Sequence, residues 1–306
     1  MLISPSQYGV WDRCEFAWFI NYKLGFVPSK KKDYFQVGTC CHELLAIFYG
    51  GKRDGVDPKT IWNTIVEYAQ SRLSQDNLSA DDVTAWKRSL RIVRRYITEW
   101  APIKDEFRIL EVERHFVVKM LTPKGREFEL QGYTDLLIEL RGKIYLFDHK
   151  TVGQKKWWTQ LQADMDPQMG LYTLGLRREG YKVHGVIINQ LNTYDYKDWE
   201  SKPLTDLYYR LETYRTETQL DNIARHIGKA VDEIIDRGDS GDYRKSLRKD
   251  CERCPYVEPC LYDLKGINPM GLLQSPVFLR RDTRTQETLA ADPSEHESVE
   301  SYALDF

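Results

Sequence analysis

Residues 132–150 read GYTDLLIELRGKIYLFDHK. Leu136, Leu137, Ile138 and Leu140 form one apolar run, Ile144, Tyr145, Leu146 and Phe147 a second, and Arg141-Gly142 separates them, a pattern that predicts two antiparallel strands joined by a tight turn. Upstream, RILEVERHFVVKM has the same strand-forming composition, and Pro123-Lys124-Gly125 divides it from EFELQGYTDLLIEL. Three consecutive antiparallel strands are therefore expected. Beyond them DPQMGLYTLGLRREG reads as a helix, with Leu171, Leu174 and Gly175 on one side and Gly180 as its stop, and VHGVIINQLN as a further strand.

The first third is expected to be helical. Asp57-Pro58 offers a cap and an N1 proline ahead of Ile61, Ile65, Tyr68 and Leu73, and a second helix is expected from Asp81 to about Trp100. Its stripe of Trp86, Leu90, Val93 and Ile97 leaves Lys87, Arg88, Arg91, Arg94 and Arg95 on the other faces, either solvated or contacting phosphate. Gly38-Thr39-Cys40-Cys41-His42 is read as the opening of a helix, HELLAIFYG, and residues 204–237 as polar and helical. This order predicts an α/β fold with a mixed central sheet flanked by helices.

Composition narrows the function classes. With 306 residues, 42% hydrophobic and 29% charged, the chain can bury a core without disulfide staples. No stretch approaches 18 uncharged apolar residues, and MLISPSQYGVWDRCEF lacks a basic region followed by an apolar one. Neither a transmembrane helix nor a signal peptide is expected, and the predicted location is cytoplasmic, with no membrane partner. Residues 282–306 hold seven acids against Arg284, so an acidic, disordered tail is expected to follow a slightly basic body, which permits a polyanionic partner.

The chemistry-bearing residues sit at strand ends. Asp135 lies in GYTD and Asp148 in DHK, and two carboxylates on adjacent antiparallel strands can converge on one hard cation. Lys150 shares a face with Asp148, because strand side chains alternate with period two. His42 offers an imidazole as a third ligand, and Gln168 and Tyr172, four apart, share one helix face. Singly, each has an ordinary reading as a cap, a surface ion pair or a core histidine. Cys14 stands apart from Cys251, Cys254 and Cys260, whose C-x2-C-x5-C spacing in a reducing compartment reads as metal ligands, iron-sulfur or zinc.

In this order, GTCCH, GYTD, DHK and QMGLY resemble the motifs of the RecB-like branch of the PD-(D/E)XK nucleases, over about residues 3–265. The resemblance implies a restriction-endonuclease-like core in a single nuclease domain, 1–281. Within it a helical part would cover about 40–104, the catalytic core about 105–195, and C-terminal helices with a cysteine segment closing onto the N-terminus 204–265. It implies that His42, Asp135, Asp148 and the backbone carbonyl of His149 bind Mg2+ or Mn2+. Lys150 would orient or activate water, with Gln168 and Tyr172 supporting the active-site geometry. Glu111 and Glu113, on the preceding strand, are only candidate auxiliary acids, without a firm motif match. The cysteines resemble the staple of AddB-type and CRISPR-adaptation nucleases, which implies a 4Fe-4S cluster on Cys14, Cys251, Cys254 and Cys260. Cys40 and Cys41 read as buried thiols near the active-site helix.

Lys155-Lys156-Trp157-Trp158 follows directly and either binds single strands by stacking and charge or packs its tryptophans beneath the sheet. The expected function is a metal-dependent deoxyribonuclease, an exonuclease on single-stranded DNA or DNA ends in recombination, repair or replication. The rival readings are a structure-specific endonuclease and a non-catalytic DNA-binding scaffold. The chain has no G-x4-G-K-[ST] loop, so ATP-driven unwinding would need a separate helicase or recombination partner.

Overall fold

The computed structural model describes residues 1–29, 33–75, 78–153, 157–238 and 241–281; Lys155, Lys156 and the tail 282–306 lie outside them. In chain order the first elements are β1 (Leu2–Ile3), α1 (Pro5–Arg13), α2 (Glu15–Trp18), β2 (Phe26–Pro28), α3 (Asp33–Arg53), α4 (Pro58–Leu73), α5 (Ala80–Arg95) and α6 (Ala101–Lys104). They are followed by β3 (Arg108–Leu121), β4 (Glu127–Leu140), β5 (Lys143–Val152), α7 (Gln160–Met165), α8 (Pro167–Arg178) and β6 (Val183–Asn192). The chain continues through α9 (Leu204–Leu207), β7 (Tyr208–Thr213), α10 (Glu217–Arg237), α11 (Val257–Leu264), α12 (Met270–Leu273) and β8 (Phe278–Arg280).

Local chemistry sets these boundaries. Asp57 caps α4 by accepting the Lys59 and Thr60 N–H groups at 3.1 and 3.0 Å, with Pro58 at the first helical position. Ser79 and Asp82 form a reciprocal capping box on α5. Leu140 pairs with Lys143, leaving Arg141 and Gly142 as a two-residue loop with φ of 51° and 73°. Both angles are positive, as a type I′ turn requires, and this fixes the hairpin register.

The chain divides into two compact units: Met1–Lys31, Val117–Gln131 and Asp221–Phe306 form one, Lys32–Phe116 and Gly132–Leu220 the other. In the second, β4 pairs antiparallel with β5, β5 parallel with β6, and β6 antiparallel with β7, while β3 also pairs with β4. A parallel pair cannot be closed by a tight turn, so the β5–β6 connection runs through α7 and α8. The core of this unit joins Leu44, Leu45 and Tyr49 of α3, Ile65 of α4 and Ile92 and Val93 of α5 to Ile138, Phe147 and Leu191 of the sheet. In the first unit β1 pairs with β4 at Ile3↔Leu130 and β2 pairs with β8. There Arg244 N–H donates to Glu15 Oε2 at 3.0 Å and Phe16 N–H to Arg244 O at 3.1 Å, so the segment leading to the cysteines does return to the N-terminal helices.

Two expectations need correction. Residues 204–237 are not continuously helical, because YYRLET forms β7 against β6 before α10 begins. Nor does His42 open a helix: α3 starts at Asp33, and His42 lies in its middle.

Candidate active site

β5 ends in Asp148-His149-Lys150, and each side chain has a different environment. Asp148 is only 3% exposed and its Oδ2 lies 3.2 Å from Lys150 Nζ, so the two residues face the same side as period two requires. Lys150 also donates to Gln168 Oε1 at 2.7 Å. The Gln168 amide in turn donates to the Tyr172 hydroxyl at 3.0 Å, one turn further along α8. Asp166 positions that helix by accepting the Met169 N–H at 2.9 Å, with Pro167 at the first helical position. Lys150 Nζ lies 5.8 Å from the ring centroid of Trp158, which makes Trp158 a wall of this half of the site.

The other half gathers around Asp135. The paired register of β4 and β5 ends at Leu136↔Phe147, so Asp135 and Asp148 occupy the first positions past it. The His149 N–H donates to Asp135 Oδ2 at 2.6 Å, and His42 Nδ1 lies 3.4 Å from Asp135 Oδ1. Burial opposes ionisation of Asp135, but the His42 charge and hydrogen bond hold its carboxyl well below the usual range. His42 reaches this position because α3 lies close to β5. A Cβ on Gly38, one turn before His42, would come within 3.0 Å of Thr151 Oγ1. The His149 ring stacks on Tyr49 at 5.4 Å and 26°, and burial pushes its pKa down to about 3, leaving a neutral imidazole.

The PD-(D/E)XK nuclease superfamily description matches residues 2–261, most of the chain. The chain belongs to that superfamily. Its mixed sheet flanked by helices is the expected arrangement. Among solved structures, the nuclease is similar to a protein from Eubacterium rectale provisionally described as an exonuclease, with 14% identity, coverage of 82% and 87% of the two chains and a TM-score of 0.45. It is also similar to SSO0001, with 12% identity, 84% of each chain and a TM-score of 0.39. LHK-Exo in complex with dAMP matches at 13% identity over 67% of this chain and 94% of its own, with a TM-score of 0.29. No curated protein matches.

Two carboxylates and an imidazole suit Mg2+ or Mn2+, and four thiols suit iron-sulfur or zinc. Among the described residues, however, no group of three or more His, Cys, Asp or Glu side chains is arranged so that it could hold a metal ion. In the first unit Cys14 follows α1, Cys251 lies within the turn Lys249–Arg253 and Cys254 directly after it, and Cys260 lies on α11. All four are partly buried. Burial, opposed in part by the Lys245 charge, pushes the Cys260 thiol up to about 11. Arg248 N–H donates to Cys251 Sγ at 3.3 Å.

Of the other sequence candidates, Glu111 binds Arg114 at 2.7 Å and also accepts from the Tyr181 hydroxyl, while the backbone of Glu113 adopts a φ of 48°. Arg91 pairs with Asp195, while Arg95 bonds Glu99 and the carbonyls of Trp199 and Lys202. That part of the α5 face serves the fold. Cys40 and Cys41 are buried on α3. Trp157 lies with its ring 5.8 Å from Tyr209. Sequence reasoning missed Asn189 and Gln190, which bond the His149 ring and the Trp158 N–H, and Arg210, which bonds Asn189. Among the described residues, no helix is long and apolar enough to cross a membrane.

Proposed function

We propose that this nuclease hydrolyses DNA phosphodiester bonds with Mg2+ or Mn2+, acting as an exonuclease on single strands or strand ends in recombination, repair or replication. The observation that carries the reading is the continuous chain from Asp148 through Lys150 and Gln168 to Tyr172, set beside Asp135 and His42. Asp135, Asp148, His42 and the His149 carbonyl would hold the cation. When bound, it lowers the pKa of water and offsets charge on the scissile phosphate. Lys150, fixed by Asp148 and Gln168, directs its ammonium at the phosphoryl oxygens as charge builds there. Gln168 and Tyr172 keep that ammonium from swinging away. Trp158 gives a base a stacking surface beside the lysine. Cys14, Cys251, Cys254 and Cys260 would hold a structural 4Fe-4S cluster. DNA unwinding, where required, comes from a separate helicase partner.

The test offers the purified protein linear and circular single-stranded DNA, with and without each cation. Linear strands should be degraded and circles should survive. Cutting of circles would identify an endonuclease, and binding without metal-dependent cleavage would overturn the catalytic reading.

A further inference from the structure

Asn189 and Gln190 sit side by side on β6, and both are 0% exposed. In the parallel register Asn189 lies beside His149 and Gln190 beside Lys150. Successive strand residues face opposite sides of a sheet, so this pair reaches both faces behind the Asp148-His149-Lys150 segment. Burying amides costs free energy unless every polar atom is matched, and aliphatic residues would fill the same space more favourably. Packing alone does not explain the pair.

On one face the donors are forced. Arg210 Nε can only donate, and it bonds Asn189 Oδ1 at 2.9 Å. Asn189 therefore presents its NH2 group to His149, with Nδ2 2.9 Å from Nδ1. His149 Nδ1 must accept, which places the ring proton on Nε2. Arg210 is itself anchored by Asp105, the Tyr96 hydroxyl and the Lys104 carbonyl. A ring fixed in this way fixes its own peptide, whose N–H bonds Asp135. On the other face, Gln190 Oε1 accepts the Trp158 N–H at 2.7 Å, and the Trp158 ring lies beside Lys150. Gln190 Nε2 has no hydrogen-bond partner among the described residues.

We propose that Asn189 and Gln190 form a two-sided brace for the active segment. Asn189, oriented by Arg210, sets the His149 peptide, and Gln190 holds Trp158 against Lys150. Both are positioning residues. The inference rests on the active site proposed above.

Asn189→Asp tests one side, because it preserves size and the Arg210 contact but cannot donate, so His149 must move its proton to Nδ1. Nitrogen NMR of histidine-labelled protein should show one histidine changing tautomer. Mn2+ affinity, read by titration calorimetry, should weaken about tenfold or more, and kcat should fall with KM nearly unchanged. Gln190→Leu tests the other side. It should erase the emission difference that separates the parent from Trp158→Phe and should lower kcat, and thermal melts of both variants should confirm folding. An unchanged tautomer and Mn2+ affinity in Asn189→Asp, or unchanged emission and kcat in Gln190→Leu, would overturn that side of the brace. Wild-type cleavage by Asp148→Asn would overturn the site reading instead, and the tautomer would still decide the Asn189 contact.

Discussion

Lys150 makes the sharpest demand on the chemistry at the scale of single residues. Its ammonium is held between Asp148 and Gln168, so alanine removes the charge without removing the carboxylates. Lys150→Ala should lower the single-turnover cleavage rate about 10²–10³-fold, the usual loss when one preorganised stabiliser of transition-state charge is deleted. DNA affinity, measured separately by fluorescence anisotropy, should change little, because most phosphate contacts lie elsewhere. A wild-type rate would remove Lys150 from the mechanism. Tyr96 carries a pH prediction of a different kind. Burial pushes its hydroxyl up to about 12, against the opposing charge of Arg210 and with the help of Asp105. Its contribution to stability is complete below the unfolded value near 10 and is lost as pH rises toward 12, because only the unfolded chain ionises in that window. Each pH unit there should cost about tenfold in the folding equilibrium. Urea midpoints taken across that range should show a shallower decline for Tyr96→Phe than for the parent.

Among the elements, α8 is held in place by a glycine contact. A Cβ on Gly175 would overlap the Phe116 ring, and one on Gly132 would approach that ring to 2.7 Å and Tyr172 to 2.8 Å. Alanine in a helix gains about 1 kcal/mol over glycine, but overpacking a filled core costs about 1–3 kcal/mol, so the clash should win. Gly175→Ala should lower the melting temperature and the cleavage rate together, since α8 carries Gln168 and Tyr172, and Phe116→Leu in the same chain should recover part of both. Failure of the second substitution to restore stability would show that the clash lies elsewhere. Elements with local signals were legible: Asp57-Pro58, Arg141-Gly142 and Asp166-Pro167 each mark a boundary through their own backbone chemistry. β7 was not legible, because YYRLET owes its strand state to pairing with β6, a contact distant in sequence. The true start of α3 was missed because Gly38-Thr39-Cys40-Cys41-His42 read as a helix opening, whereas the helix begins at Asp33 and Gly38, within it, permits close approach to Thr151. The site candidates were visible as motif residues, whereas Asn189 and Gln190 looked like ordinary positions in an apolar strand. Arg210 was hidden with the strand that carries it.

For the whole molecule, the cluster proposed on the four cysteines would constrain the longest stretch of chain. Cys14 and the segment from Cys251 to Cys260 are separated by most of the sequence, yet they gather in one compact unit. A cluster bound to all four would close a very long loop, and the entropy removed from the unfolded chain grows with the logarithm of loop length. The thiols themselves resist ionisation: burial raises both Cys254 and Cys260, the latter to about 11. A cation must therefore displace protons as it binds, and its affinity should fall as pH is lowered. Anaerobically purified protein should be brown and carry about four irons with matching sulfide per chain, the content of a 4Fe-4S centre. Cys251→Ser should lose the iron and melt several degrees lower, because the link to Cys14 would be gone. Cleavage by the fraction that remains folded at low temperature should persist, since Asp135, Asp148 and Lys150 belong to the other unit. Zinc in place of iron after anaerobic purification would exclude the iron-sulfur cluster while keeping the staple. Neither metal, together with an unchanged melting temperature in Cys251→Ser, would remove the staple altogether.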